Sequence, residues 1–140
     1  KSQSNSGFDG GILYYNRETT HCKYAGAKAP LYIVHDGEVE LVKGDRSSVG
    51  FVRTKLEQNY TEYDVEIKKG AKYYMITDGI IDQEGANNSR YGKERFKKVI
   101  LENHDRNFIE QRGQIFSDFH SFREGREQSD DITVLGMQFI

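Results

Sequence analysis

Two acidic segments contain the residues of this chain that are best suited to chemistry. The first is Asp78-Gly79, which directly follows a run of strand-forming residues at 73–77. The second is Asp130-Asp131, which directly precedes another strand-like run at 132–139. A carboxylate at the end of a buried strand is held rigidly and can point into a cleft. A neighbouring glycine lets another group approach the backbone closely.

Carboxylates in these positions suit a site for Mg²⁺ or Mn²⁺, because hard divalent cations take oxygen ligands and retain several waters. If the two strands are neighbours, Asp78 and Asp130 can share such an ion, and the backbone carbonyl of Gly79 can add a ligand. Two ions about 3.5–4 Å apart would lower the pKa of a shared water and hold it for attack on phosphorus. They would also offset the charge on the phosphoryl oxygens. The pattern therefore predicts metal-dependent phosphate-ester hydrolysis, with Asp78 and Asp130 as the catalytic pair.

Each acidic segment also has a simpler explanation. Asp-Gly occurs at Asp9, Asp36 and Asp78, and most such pairs form turns. Asp36-Gly37 lies between two apolar runs, which predicts a type I′ hairpin. Asp130-Asp131 could instead cap or solvate a strand end. A metal-independent hydrolase with two carboxylates, such as a glycosidase, is a third possibility and would need two carboxyl groups of divergent pKa.

The other reactive residue types are assigned structural roles. Cys22 lies on a predicted strand with no patterned partner, which argues against a thiol nucleophile. Arg90 and Arg95 either contact a phosphate or are surface charges. The phenylalanines at 116, 119 and 122 have helical spacing and are expected in the core. The histidines lack the spacing of metal ligands; they are His21, His35, His104 and His120.

Composition limits the class of protein. The chain has 140 residues, enough for one domain, and a net charge of −2, which gives no reason to expect nucleic acid or an anionic membrane as partner. No apolar run approaches the roughly 18 residues that span a bilayer, so this segment is expected to make no membrane contact. A single cysteine, Cys22, forms no internal disulfide, which favours the cytoplasm. Residues 1–7 are polar and predict a flexible lead-in.

The hydrophobic pattern predicts antiparallel strands followed by helices, an α+β fold. Strands are predicted at residues 12–16, 21–25, 31–34, 39–42, 60–67, 73–77 and 132–139. Residues 92–103 have one apolar helical face. A second amphipathic helix is expected to begin at Asn107, which forms a capping-box pattern with Glu110.

Four segments in order resemble a known family: residues 24–31 (YAGAKAPL), 76–82 (ITDGIID), 91–95 (YGKER) and 129–134 (SDDITV). Together they are similar to the metal-dependent Ser/Thr protein phosphatases of type 2C. The bacterial branch typified by the sporulation stage II protein E phosphatase is the most similar. The resemblance extends over nearly the whole chain. It implies an antiparallel β-sandwich with helices outside both sheets.

By this resemblance Asp78 and Asp130 match metal-binding aspartates. Asp131 is implied as a further ligand or as support for one, and Asp82 as a ligand of an accessory metal. The family has another metal aspartate in an N-terminal segment that also supplies two helices, and Asp9-Gly10 does not match its context. Residues 8–140 are therefore expected to be the C-terminal part of a catalytic domain that lacks its N-terminal strand and helices. Alone, this part is expected to have an incomplete site.

The resemblance also implies a function and a partner. The function is hydrolysis of phosphoserine or phosphothreonine by metal-activated water, with two or more Mn²⁺ or Mg²⁺ ions in the complete domain. The implied substrate is a phosphorylated bacterial regulatory protein of the anti-sigma-factor antagonist type, in the cytoplasm. Other domains of the parent protein could anchor it to a membrane. A homodimer is left open, and no substrate-binding residues are assigned. The alternative is a catalytically silent module that keeps the fold and serves as a regulator or scaffold.

Overall fold

The computed structural model describes residues 7–50 and 57–140. Within these ranges the strands are β1 (Gly10–Asn16), β2 (His21–Ala27), β3 (Leu31–His35), β4 (Glu38–Val42), β5 (Tyr63–Asp64), β6 (Lys72–Ile76) and β7 (Val134–Met137). The helices are α1 (Asp78–Asp82), α2 (Gly92–Glu102) and α3 (Phe108–Arg123), with a short 3₁₀ turn at Ala86–Asn88. The antiparallel strands and the later helices confirm the α+β class.

The strands form two antiparallel sheets. One has three strands in the order β1-β2-β5, and the other has four in the order β4-β3-β6-β7. Successive side chains of a strand point to opposite faces, so β3 and β6 contribute to two separate cores. The core that joins the two sheets contains Cys22, Tyr24, Leu31, Ile33, Val65, Ala71 and Tyr73. The core beneath the helices contains Tyr32, Val34, Tyr74, Ile76, Ile80, Tyr91, Phe96, Val99, Ile100, Ile115 and Phe119.

All three α-helices pack on the four-stranded sheet, through Ile80 of α1, Phe96 of α2 and Ile115 of α3. On the other sheet, Ile12 and Tyr14 of β1 are 69% and 57% exposed. The family resemblance implies helices outside both sheets. In the described part of the chain only one sheet has them.

A polar network joins α2 to α3. The Arg95 guanidinium donates to both carboxylate oxygens of Asp118, at 2.9 and 2.8 Å. The Tyr91 hydroxyl donates to Asp118 at 2.6 Å. Burial raises the pKa of Tyr91, and the hydrogen bond to Asp118 raises it further. Burial also acts to raise the pKa of Asp118, but hydrogen bonds from Arg95 and Tyr91 outweigh it and leave that pKa below its ordinary value.

Two turn predictions are confirmed in detail. Asp36 and Gly37 both have positive φ, 50° and 77°, as a type I′ hairpin requires. The Asn107 side chain accepts a hydrogen bond from the Glu110 amide at 2.9 Å, which caps α3.

Other predictions need correction. Residues 60–67 do not form one long strand, since only Tyr63–Asp64 pairs with β2. The last strand covers four residues, Val134–Met137. The chain forms the short helix α1, Asp78–Asp82, directly after β6, and the sequence patterns did not predict this helix. Phe116 is 63% exposed, because its position lies to one side of the buried face formed by Ile115 and Phe119.

Two other expectations concern the ends and the membrane. Residues 1–6 of the predicted lead-in lie outside the described residues. Within the described ranges, every helix is too short or too polar to cross a membrane.

Candidate metal centre

The two acidic segments leave the same end of the four-stranded sheet. β6 and β7 are antiparallel neighbours, with Ile76 paired to Val134. One step beyond the strands, the Thr77 amide donates to the Thr133 carbonyl at 3.1 Å. The chain after β6 and the chain before β7 therefore lie side by side. This brings the segment of Asp78 next to the segment of Asp130, as the sequence prediction requires.

Thr77 joins the two segments through its side chain. Its hydroxyl donates to the Asp131 carbonyl at 3.1 Å and accepts from the Thr133 amide at 2.8 Å. Gly79 is buried in α1, and a Cβ atom added there would lie 2.3 Å from the Asp131 carbonyl oxygen. Real Cβ atoms do not approach so closely. Glycine at 79 thus allows the backbone of α1 to rest against the second acidic segment.

Gln83 joins the same segments from the other end of α1. Its side chain is 1% exposed. The side-chain amide donates to the Glu127 carbonyl at 3.0 Å and accepts from the Ser129 amide at 3.1 Å. The loop that leads to Asp130 is therefore hydrogen-bonded to a buried residue.

The carboxylates themselves face solvent. Asp78, Asp82, Asp130 and Asp131 are all exposed. Asp82 forms an ion pair with Arg90 at 3.1 Å, and one oxygen of Asp130 accepts from the Asp131 amide at 2.7 Å. Within residues 7–50 and 57–140, no Lys, Arg or His forms an ion pair with Asp78, Asp130 or Asp131.

This donor set fits part of a site for Mg²⁺ or Mn²⁺. Exposed aspartate oxygens are the ligand type that these ions take. Because no described cation is paired with Asp78, Asp130 or Asp131, a divalent ion would offset their mutual repulsion. In the described part of the chain, however, no three His, Cys, Asp or Glu side chains are arranged to hold an ion. The assignment of Asp78, Gly79, Asp82, Asp130 and Asp131 as ligands stays a prediction.

A cavity of about 400 Å³ borders the acidic segments, lined by Asp82, Gln83, Glu84, Arg126, Glu127 and Ser129. Arg126 donates to the Asn88 side chain at 2.9 Å and reaches Glu84 at 3.4 Å. Sequence analysis did not single out Thr77, Gln83 or Arg126. Thr77 lies between the end of β6 and Asp78, and this position next to a candidate ligand could have identified it from the sequence. The contacts of Gln83 and Arg126 span about forty residues and leave no local pattern.

The remaining candidates have other partners. Arg95 is engaged by Asp118, which argues against the phosphate-contact hypothesis. Asp9 pairs with Lys28 at 3.4 Å. Cys22 is buried, and this burial raises the pKa of its thiol, as expected for a structural cysteine.

The comparisons with known proteins agree with this geometry. The family described as Stage II sporulation protein E (SpoIIE) matches residues 3–140. The chain is similar to the SiaA-PP2C domain of Pseudomonas aeruginosa, with 29% identity and a TM-score of 0.83 over 94% of this chain and 51% of that one. No curated protein sequence matches it.

Two further solved structures share the fold. The phosphatase domain of SpoIIE from Bacillus subtilis has 17% identity and a TM-score of 0.68, over 95% of this chain and 56% of that one. The PPM Ser-Thr phosphatase MsPP from Mycobacterium smegmatis, solved with cacodylate, has 11% identity and a TM-score of 0.62, over 94% and 62%. The chain thus spans between half and two thirds of these solved proteins.

Proposed function

The chain belongs to the Stage II sporulation protein E family and has the PP2C phosphatase fold, and from this premise we propose that it forms part of a metal-dependent protein serine/threonine phosphatase. The family in general depends on Mg²⁺ or Mn²⁺. The observation that carries the proposal is the contact between the two acidic segments. Thr77 and Gly79 hold the chain around Asp78 against the backbone of Asp131.

The residues that would hold the ions are Asp78 and Asp130. The carboxylates of Asp131 and Asp82 and the carbonyl of Gly79 are further candidates. An ion bound there supplies Lewis acidity and positive charge toward a phosphoryl group. Among the described residues, the carboxylates of Asp78, Asp130 and Asp131 are exposed and have no ion-pair partner, and all three lie at the end of one sheet.

The proposed substrate is phosphoserine or phosphothreonine on a bacterial regulatory protein of the anti-sigma-factor antagonist type, in the cytoplasm. The family membership supports the proposed substrate. The single cysteine supports the cytoplasm as the compartment. The cavity beside Asp82 and Arg126 is the proposed place for residues that flank the phosphorylated side chain.

The test is Asp78→Asn in the native gene product that contains this sequence, assayed for Mn²⁺-dependent hydrolysis of p-nitrophenyl phosphate and of a phosphoserine protein. Loss of a partner of a metal ligand typically costs 10- to 100-fold, so loss of a ligand is expected to cost about 100-fold or more. Asp64→Asn, an exposed aspartate on the three-stranded sheet, is the matched control and should retain full activity. Wild-type turnover in Asp78→Asn would refute the proposal.

The alternative is a silent regulatory or scaffold module with the same fold. The observation in its favour is that the carboxylates at this sheet end come from only two segments of the described chain, without a third converging ligand. Binding of a phosphorylated partner by the native gene product without any Mn²⁺-dependent turnover would support the silent module.

A further inference from the structure

Gln83 has an uncharged polar side chain, and burying such a side chain costs free energy unless it is hydrogen-bonded. It ends α1 and its side chain is almost completely buried, at 1% exposure. A primary amide removed from water needs hydrogen-bond partners, because an unsatisfied buried donor or acceptor destabilises the folded state. An apolar residue could fill the same volume without this requirement. The hydrogen-bond partners of Gln83 therefore indicate the structural role of its amide group.

Its partners are backbone groups on either side of Gln128. The Gln83 Oε1 atom accepts from the Ser129 amide at 3.1 Å, and Nε2 donates to the Glu127 carbonyl at 3.0 Å. Nε2 also donates to the Glu84 carbonyl at 3.0 Å. One planar side chain thus satisfies one donor and one acceptor of the 127–129 loop, in the way that a neighbouring strand would.

The backbone of Gln83 is held by a hydrogen bond from the helical layer. Its backbone carbonyl accepts from the Tyr91 amide at 2.9 Å. Tyr91 is buried, and its hydroxyl is bonded to Asp118 of α3. The side chain of Gln83 consequently projects from a rigid part of the helical layer toward the loop.

Asp130 lies between two such attachments. Gln83 holds the chain just before it, at Glu127 and Ser129, and Thr77 holds the chain just after it, at Asp131 and Thr133. Thr77 and Gln83 flank the two ends of α1, the helix that contains Asp78. The position of Asp130 relative to Asp78 is therefore set by the residues at both ends of one short helix.

We propose that Gln83 is a positioning residue that holds Asp130 beside Asp78 and thereby sets the affinity of the acidic site for divalent cations. This inference rests on the proposed function for its metal. It concerns only the placement of Asp130, since Gln83 itself is buried and is not offered as a ligand. Partners that orient metal ligands typically contribute about 10- to 100-fold to metal affinity.

The experiment uses Gln83→Met in the native gene product. Methionine keeps the length and apolar volume of the side chain and removes its donor and acceptor. Mn²⁺ affinity, measured from the electron paramagnetic resonance signal of free Mn²⁺, is expected to fall about 10- to 100-fold. Hydrogen–deuterium exchange of the Ser129 amide is expected to become faster, because this amide loses its acceptor.

The matched control is Gln111→Met. Gln111 is also buried, at 2% exposure, and its side chain bonds the Tyr74 hydroxyl and the Arg106 carbonyl, away from the acidic segments. It should lose stability without loss of Mn²⁺ affinity. Equal losses of affinity in the two variants, or an affinity within twofold of wild type in Gln83→Met, would overturn the assignment.

Two further outcomes are decisive. If wild-type protein binds no Mn²⁺, the proposed function and the effect of Gln83 on metal affinity both fail, and exchange decides only the remaining claim, that Gln83 holds the loop before Asp130. Unchanged protection of the Ser129 amide in Gln83→Met then overturns it. If Gln83→Met does not fold, Gln83→Glu replaces it, since glutamate keeps the acceptor for Ser129 and removes the donor to the Glu127 and Glu84 carbonyls. The same two readouts apply, with a smaller expected loss of protection at Ser129.

Discussion

The α-carbon of Gly79 lies so close to the carbonyl oxygen of Asp131 that a Cβ atom at 79 would be 2.3 Å from it. The contact joins residues 52 positions apart in sequence, and both sides of it are backbone. It cannot be relieved by rotating a side chain.

Gly79→Ala is therefore expected to push the two acidic segments apart. We expect a destabilisation of about 1–3 kcal/mol, the usual cost of inserting a methyl group into a packed contact, together with weaker Mn²⁺ binding. Urea unfolding and a Mn²⁺ titration measure the two effects. Gly113→Ala is the control, because Gly113 is in α3 and its added Cβ would meet nothing within 4 Å beyond its chain neighbours and the local backbone of its own helix. That change should stabilise the protein by about 0.5–1 kcal/mol.

Mn²⁺ should protect the protein against unfolding. At a free concentration 100-fold above Kd, a ligand that binds only the folded state adds about 2.7 kcal/mol to the free energy of unfolding. Asp130→Asn should remove most of this increment. Asp36→Asn, in the hairpin at the opposite end of the same sheet, should retain it. An equal increment in wild type and Asp130→Asn would exclude Asp130 as a ligand.

Asp118→Asn is expected to lower stability by about 1–3 kcal/mol at pH 7, since hydrogen bonds to a charged group are lost. The folded-state pKa of Asp118 is below its ordinary value of 3.8. The ionised carboxylate thus contributes its full stability above the unfolded pKa, and this contribution is lost as pH falls through the folded pKa. The gap between wild type and variant should be constant above about pH 5 and narrow below pH 3.8. Urea unfolding from pH 2.5 to 7 measures it.

A control for this pH dependence is Asp105→Asn, whose side chain is 90% exposed beside His104. Its stability should differ little from wild type at any pH, because exposed pairs contribute little. A gap for Asp118→Asn that stays constant down to pH 2.5 would show that the carboxylate charge is not what matters.

Lys72→Met should destabilise the turn between α2 and α3. The Lys72 ammonium donates to the carbonyls of His104 and Arg106, at 2.5 and 2.6 Å, from a largely buried position. Removing it takes a charged donor away from both carbonyls, which leaves them, among the described residues, only the side-chain amide of Gln111, at a cost of about 1–3 kcal/mol. The exposed Lys93 of α2 is the comparison, and Lys93→Met should change stability by less than about 0.5 kcal/mol. Similar losses in both variants would contradict a specific role for the Lys72 contacts.

Sequence patterns predicted those features that depend on neighbouring residues. The positive φ of Asp36 and Gly37 and the cap at Asn107 follow from local chemistry, and both were found. The alternation of Tyr63, Val65 and Ile67 with acidic residues predicts one buried face, and of these three Val65 is buried whereas Tyr63 is 36% exposed. The alternation does not predict how much backbone pairs with β2, because pairing depends on the path of a distant strand.

In the candidate site, too, the features that depend on neighbouring residues could be predicted and those that depend on distant residues could not. The placement of Asp78 after one strand and of Asp130 before another could be recognised from sequence, but their adjacency required the β6–β7 pairing. Gln83 could not be recognised, because its role depends on a loop more than forty residues away. A buried glutamine has no distinguishing pattern in a linear sequence.

The position of β6 between two cores has a consequence for insertions and deletions. Tyr73 faces the core between the sheets, where its hydroxyl donates to the Glu66 carbonyl, and Tyr74 faces the helices, where its hydroxyl donates to Gln111. Loss of one residue from this strand would exchange the two faces. Each tyrosine would then lie in the wrong core, and the carboxylate of Asp78 would leave the strand end in the wrong direction. We expect this strand to tolerate substitutions that preserve size far better than any change of length.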